Sequence, residues 1–372
     1  MPANPFQFDI NHPTLLLDKQ KCIRNIDRFV EKAKKNNVNL RPHFKTHQSH
    51  EVASWFKERG VTCCTVSSLK MAQYFSEDGW NDITVAFPLN YLEADLINSL
   101  ASKIQLNLLI SVCEVLPQLL KKLKNRVGIF IEIDSGYHRT GFDPQDISGV
   151  ERVLSEIESS PLTEFRGFLS HAGHTYRCNS KSAVEEIHLE EVRVLNDLKN
   201  RYKARCPDLK LSVGDTPSAS LVDDFSGVDE LRAGNLVFYD LTQAKIGACS
   251  LDQIAIAIAC PVVATYPERN EIIIYGGGVH FSKDFITTEG GAISYGAVVL
   301  LTNKGWELPP TAMFVKALSQ EHGTVHSDKE SIRNLKPGDL LGVLPVHSCL
   351  MADAMGSYLT LKGGRVSRLS ES

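Results

Sequence analysis

Residues 127–170, VGIFIEIDSGYHRTGFDPQDISGVERVLSEIESSPLTEFRGFLS, hold one copy of the repeating unit that decides the fold. The β-branched run Val127–Ile133 ends in a polar turn, helical periodicity follows over Ile147–Ile157, and a second strand-like run spans Phe165–Ser170. The same alternation continues outward to about residue 36 and about residue 235, with strand candidates at Val38–Arg41, Val61–Val66, Ile83–Phe87, Ile104–Ile110, Leu209–Val213 and Glu230–Arg232. Between them lie helical stretches at His50–Lys57, Leu69–Phe75, Tyr91–Ala101, Val112–Lys124 and Ala183–Lys203, and a short one after Pro217. Eight strands alternating with helices predict an α/β fold whose parallel sheet closes into a (β/α)8 TIM-type barrel, because open doubly wound sheets usually have fewer strands.

A further helix precedes the set. Asp18 suits its N-cap, and Ile23, Ile26, Phe29, Val30 and Ala33 line one face at helical spacing. From Ile246 the texture changes to QIAIAIA, EIIIYGG, AVVLLT and AMFVKALSQ, broken by Gly, Pro and Asn, which predicts a C-terminal antiparallel β domain. The expected division is a barrel over 18–245 and a β domain over 246–372, the latter joined by a strand from within 1–17 (Thr14–Leu17).

Composition narrows the function classes. With 372 residues, 43% hydrophobic and 23% charged, the chain can bury a large core, which rules out a disordered or fibrous protein. Forty basic against forty-four acidic side chains leave a net charge of -4, so no positive field holds a polyanion and no nucleic-acid partner is expected. The start, MPANPFQFDI, has no basic n-region or apolar h-region, and the longest apolar run, Ile254–Ala264, contains Pro261 and is too short to span a bilayer. No membrane association and a cytoplasmic location are expected. Nine irregularly spaced cysteines, two of them adjacent at Cys63 and Cys64, argue against a disulfide framework.

In such a barrel the reactive groups project from the C-terminal ends of the strands. RPHFKTH (41–47) follows the first strand, IDSGYHRTGF with Arg139 the fifth, SHAGHTY (170–176) the sixth, VGDTPS the seventh and RAGN the eighth. Gly214, Asp215 and Thr216 precede Pro217 and a short helix, the composition of a loop that offers backbone N–H groups and a hydroxyl to an anion, though equally that of a turn and cap. Gly234 and Asn235 after the eighth strand add a second small-residue loop where barrels of this type commonly hold a phosphate. Lys45, beside His43 and Phe44, is expected at the barrel mouth in a partly apolar cup, where desolvation frees an amine for Schiff-base chemistry. A phosphate site opposite such a lysine is what pyridoxal phosphate requires. His347 and Cys349 follow the strand-like run LLGVLPV two residues apart, so in an extended segment they face one side, and an imidazole with a thiolate suits zinc. Asp353 is a further ligand candidate or simply an exposed carboxylate.

PHFKTH, DSGYHRTG, HAGHTY, GDTPS, AGN with Tyr239 and Asp240 following, SQEHG and PVHSC occur in an order that resembles the fold-type III pyridoxal-phosphate enzymes. Within that alanine-racemase-like class they resemble the branch of D-threonine aldolases and zinc-dependent D-serine dehydratases. The resemblance covers nearly the whole chain. It implies pyridoxal 5'-phosphate as cofactor, Lys45 as its Schiff-base lysine, and a homodimer. It places Arg139 near the pyridine ring, His171 against the ring, Tyr176 in contact with the cofactor, and Gly214, Asp215, Thr216, Gly234 and Asn235 around its phosphate. For Arg139 a salt-bridging role, and for His171 and His174 a structural hydrogen bond, remain open alternatives. The resemblance also implies zinc at His347 and Cys349, where the aldolases of the branch carry His-x-Asp.

The implied reaction is dehydration of a D-3-hydroxyamino acid, D-serine giving pyruvate and ammonia, with Lys45 as base and the metal polarising the β-hydroxyl. Aldol cleavage to glycine and an aldehyde is the nearest rival, Cys349 in place of aspartate favouring dehydration. Racemisation and a non-catalytic carrier of the cofactor follow, the carrier disfavoured by the long second domain. Gln320, Glu321 and His322 are candidates for the substrate carboxylate or for the dimer contact.

Overall fold

The computed structural model describes residues 4–369, which divide into two compact units. One comprises Ile26–Leu236 with Ile246–Ala248; the other comprises the chain up to Asn25, Val237–Lys245 and everything from Cys249 onward.

The first unit is the expected parallel barrel. Its eight strands are Asn39–Leu40, Cys64–Val66, Asp82–Pro88, Gln105–Ile110, Val127–Glu132, Thr163–Leu169, Lys210–Val213 and Glu230–Leu231. The first strand pairs with the eighth, and the order then descends through the seventh to the second. The ring closes just past the first strand. There His43 bridges Thr65, the Phe44 N–H donates to the Thr65 carbonyl at 2.8 Å, and the Thr65 N–H donates to the Pro42 carbonyl at 2.9 Å. Leu109, Phe130 and Leu169, from three successive strands, pack as one apolar layer with half-buried Ala86.

Not all of the barrel is apolar. Arg41, read from sequence as part of the functional rim, is buried: its Nε donates to Glu230 at 3.0 Å, and its two terminal nitrogens grip Asp82 at 2.8 and 2.9 Å. Burial opposes the charge of Arg41, but Glu230 and Asp82 outweigh it and hold the guanidinium protonated. Asn107 extends the layer to Asp82 at 3.1 Å, and Gly128 leaves the room it needs, since a Cβ there would lie 2.2 Å from the Asn107 carbonyl oxygen.

The helices match the sequence reading with one marked exception. The stretch expected over Val112–Lys124 is helical only at Val115–Leu120. Pro117 lacks an N–H, which is harmless in a first turn but would cost an internal bond in a helix started three residues earlier. At the other end Asn98 binds the Lys122 carbonyl and the Lys124 N–H, at 2.9 and 2.7 Å, drawing 122–124 into a turn. The helix Lys19–Lys35 begins as expected, with Asp18 accepting from the Lys21 N–H at 3.0 Å.

In the second unit six antiparallel strands form a closed ring. Ile256–Tyr266, Glu271–Tyr275, His322–His326, Met313–Leu318, Gly296–Thr302 and Leu340–Pro345 each pair with the next, and the last returns to the first. Pro261 marks the point where Ile256–Tyr266 changes partner, next to a bulge, which suits a residue that cannot donate to the ladder. Thr14–Leu17 adds an outer antiparallel strand on Ile256–Ala259. Leu340–Pro345 leads through Val346 and His347 into the helix Ser348–Met355, which ends at Gly356 with φ +69°. No disulfide joins any of the nine cysteines, and among the described residues no helix is long and apolar enough to cross a membrane.

Candidate active site

The first-strand loop is anchored by an aromatic cluster. Phe44 is fully buried, with ring centroids 4.6 Å from His47, 4.8 Å from Trp80, 4.9 Å from Phe75 and 5.4 Å from Phe56. Its carbonyl also accepts from the Gln48 N–H at 2.9 Å, closing a tight turn over 44–48. Phe44 takes the interior, and Lys45 beside it is exposed. Phe44→Ala removes the hub of this cluster and is expected to cost about 3–5 kcal/mol of stability, read as a lower denaturation midpoint at unchanged slope.

The loops named from sequence around the phosphate meet this turn. A Cβ on Gly234 would lie 2.5 Å from the His43 carbonyl oxygen and 3.1 Å from the Thr46 hydroxyl, so only glycine lets the eighth-strand loop press against the Lys45 turn. His171 donates from Nδ1 to the Gly214 carbonyl, joining the sixth and seventh loops. The Thr216 N–H donates to the Tyr176 hydroxyl at 3.3 Å, and Asp215 accepts from the Ser218 N–H at 2.7 Å and the Thr175 hydroxyl at 2.9 Å. Gly214, Asp215, Thr216 and Asn235 are buried, and the equally buried hydroxyls of Thr216 and Ser218 have no hydrogen-bond partner. Two orphan hydroxyls in a glycine-walled loop fit the oxygens of a bound phosphate.

Arg139 is exposed, its guanidinium 5.3 Å from the Tyr137 ring, and Tyr137 in turn meets His171 edge-on at 5.9 Å. The electrostatics of this rim are one-sided. Burial, then the charges of Lys45, Arg232 and Arg139, hold His43 well below its usual imidazole range, and burial together with the same three cations brings His171 down to about 3 against the help of its Gly214 bond. Both imidazoles are neutral at pH 7, beside three cationic side chains.

Sequence reasoning missed the layer beneath. Arg232 is buried, donating from Nε to the Ser212 hydroxyl at 2.8 Å and from a terminal nitrogen to the Ser170 carbonyl. Glu191, fully buried on the helix Lys181–Tyr202, accepts from the Ser170 hydroxyl. Its signal was present in the pattern. Val184, His188, Glu191, Leu195, Leu198 and Tyr202 recur at helical spacing, so Glu191 lies on the apolar stripe, where a carboxylate needs a partner. Burial raises both Glu191 and Asp215, and their mutual repulsion makes the pair retain a proton above the ordinary carboxylate range.

The folded state thus binds more protons than the unfolded chain in that window. The contribution is fully present below the unfolded carboxylate pKa and is lost as pH rises through the elevated folded value. Glu191→Gln is expected to flatten this decline by up to about 1.4 kcal/mol per pH unit, gaining on the parent chain toward alkaline pH in parallel denaturation series.

In the second unit His347 is the N-cap residue of the helix Ser348–Met355, and Cys349 lies within its first turn. The extended segment expected for the pair is therefore not there, because the strand ends at Pro345. The two side chains nevertheless meet in a hydrogen bond. Burial opposes protonation of His347, but that bond and the charges of Cys349, Asp240 and Asp284 raise it to about 9. An imidazole and a thiol in contact are the donor types that zinc takes. Asp353 is turned away to Arg368 at 3.0 Å, and among the described residues no cluster of three or more His, Cys, Asp or Glu is arranged to hold a metal. Gln320 and Glu321 lie in the hairpin turn between Met313–Leu318 and His322–His326, His322 opening the second strand, and Glu321 lies 3.7 Å from His280.

A parallel eight-stranded barrel with a C-terminal antiparallel β-barrel unit, carrying these loops, defines a fold-type III pyridoxal-phosphate-dependent lyase of the D-serine dehydratase and D-threonine aldolase type. The alanine racemase N-terminal domain model matches residues 17–241, and a serine dehydratase domain model matches residues 255–361. The chain belongs to the alanine racemase N-terminal domain family. It is 29% identical to a D-serine dehydratase of Dictyostelium discoideum, over 94% of this chain and 93% of that one. It is 26% identical to a D-threo-3-hydroxyaspartate dehydratase of Delftia sp. (strain HT23), over 95% and 94%.

Among solved structures, a histidine-to-alanine variant of a D-threo-3-hydroxyaspartate dehydratase superposes with a TM-score of 0.88 at 25% identity, covering 98% of this chain and 96% of that one. A cysteine-to-alanine variant, solved in the metal-free form, gives 0.89 at 24% identity over 98% and 99%, which is a likeness of fold.

Proposed function

We propose that this lyase dehydrates D-3-hydroxyamino acids, with D-serine as its substrate, pyridoxal 5'-phosphate at Lys45 and zinc at His347 and Cys349. The observations that carry the reading are the close approach of Gly234 to the Lys45 turn, the two buried, unpartnered hydroxyls of the Thr216–Ser218 segment, and the charges of Lys45, Arg139 and buried Arg232 acting together on His43 and His171.

Bound there, the cofactor supplies a conjugated ring that accepts the electrons of a broken Cα bond. The chain's residues do the rest. Lys45 would hold the cofactor through its amine and would serve as the base for the substrate's α-proton. Thr216 and Ser218 hydroxyls, with the loop backbone, hold the phosphate. Tyr176 steadies that loop through the Thr216 N–H, and neutral His171, whose Nδ1 keeps Gly214 in place, would pack against the cofactor. Arg139 adds positive charge beside the pyridine ring. His347 and Cys349 would hold zinc, which would supply Lewis-acid polarisation of the β-hydroxyl.

The substrate choice is supported by the D-serine dehydratase of Dictyostelium discoideum. The test is product identity with D-serine, D-threonine, D-threo-3-hydroxyaspartate and their L-enantiomers, with and without chelator. Pyruvate and ammonia from D-serine alone, lost on chelation, is the expected result. Glycine plus an aldehyde would make it an aldolase, and an enantiomer a racemase.

A further inference from the structure

Tyr239 and Asp240 follow the eighth-strand loop, and the reaction as proposed gives Asp240 no role. Asp240 is buried, and both of its carboxylate oxygens are engaged. Oδ1 accepts from the Gln243 N–H at 2.9 Å, at the start of the helix Leu241–Ile246. Oδ2 accepts from the Ser348 N–H at 3.1 Å and the Ser348 hydroxyl at 3.4 Å, at the start of the helix Ser348–Met355. One carboxylate therefore caps two helices separated by more than a hundred residues of chain.

Two residues on, Thr242 grips the Val346 carbonyl twice, with its hydroxyl at 2.8 Å and its N–H at 3.3 Å. The residue before His347 and the residue after it are thus both pinned by the same short segment, 240–242. Between those pins the backbone of His347 has one path, and Cys349 follows one residue later in the helix that Asp240 starts.

We infer that Asp240 is a positioning residue for the metal pair: it sets the backbone that aims His347 and Cys349 at a common point. Its own oxygens are committed to Ser348 and Gln243, so it acts through the ligands and not as one of them. The inference rests on the reading of His347 and Cys349 as zinc ligands.

Metal-stripped full-length protein is titrated with zinc against a chromophoric chelator for the parent chain, Cys349→Ala, Asp240→Asn and Thr242→Val. Cobalt titrations of the same proteins follow the thiolate-to-metal charge-transfer band. The expected result is loss of binding in Cys349→Ala, affinity weakened about 10–100-fold in Asp240→Asn with a shifted cobalt band, and a smaller loss in Thr242→Val, which keeps its N–H bond. The cofactor absorbance and thermal midpoint of Asp240→Asn serve as controls for folding.

If Cys349→Ala binds zinc as tightly as the parent chain, the ligand assignment fails and the inference with it. If Cys349→Ala loses zinc while Asp240→Asn keeps parental affinity and an unshifted cobalt band, the assignment stands and the role of Asp240 is overturned. A lowered thermal midpoint with parental zinc affinity likewise overturns it, leaving Asp240 as a structural cap only.

Discussion

Lys45→Ala is expected to abolish the visible absorbance of the protein-bound cofactor and to lower turnover with D-serine by at least about 10³–10⁴-fold, because one substitution removes both the covalent anchor and the base. The rest of the cofactor site should survive. Lys45 is exposed and the turn that carries it is held by Phe44 and the Gln48 N–H, neither of which uses the ammonium. The variant should therefore keep its thermal midpoint and still take up cofactor weakly, through the loop hydroxyls, as a species with the spectrum of the free aldehyde. Retained turnover would refute the assignment of Lys45. A collapsed midpoint would instead mean that the turn depends on the lysine, and Lys45→Arg, which keeps the charge but not the nucleophilic amine, would then separate folding from chemistry.

The barrel was legible because each strand is a short apolar run bounded by polar turns, and each following helix declares its own period; Val127–Glu132, Ile147–Glu158 and Thr163–Leu169 differ from their sequence reading by at most two residues at either end. The rim was legible for the same reason, since order along the chain fixes which loops share an end of the barrel. Direction of individual side chains was not. PHFKTH contains both an apolar residue and a lysine, and composition does not say that Phe44 takes the interior and leaves Lys45 outside. Arg41 looked like part of the rim because it adjoins it, yet its partners Asp82 and Glu230 lie on other strands and are visible only once the barrel is closed.

The metal pair was misread locally for a related reason. LLGVLPVHSC is one continuous apolar run by composition, but the ladder ends at Pro345 and a helix begins two residues after Val346, capped by Asp240 from a distant part of the chain. The Arg232–Glu191–Asp215 layer likewise draws on the loops after two strands and on a helix. A charged residue on an apolar stripe marks such a site in advance, but does not name its partners.

Removing Cys349, proposed as a metal ligand, should separate the two halves of the proposed chemistry. In Cys349→Ala the cofactor absorbance is expected to remain, because Lys45, the glycine loops and the two orphan hydroxyls all belong to the barrel unit and none belongs to the segment that bears Cys349. D-serine dehydration should nevertheless fall by about 10²–10³-fold, the size of effect that several kcal/mol of lost Lewis-acid stabilisation of the departing hydroxyl implies. Chelation of the parent protein should give the same loss and zinc should reverse it, whereas added zinc should not rescue the variant. The α-proton is the internal control. Lys45 can still remove it without a metal, so exchange of the substrate's α-hydrogen with deuterated solvent should persist in Cys349→Ala while pyruvate production stops. If exchange and elimination fall together, the metal serves substrate binding instead of the leaving group. If neither falls, Cys349 has no part in the reaction.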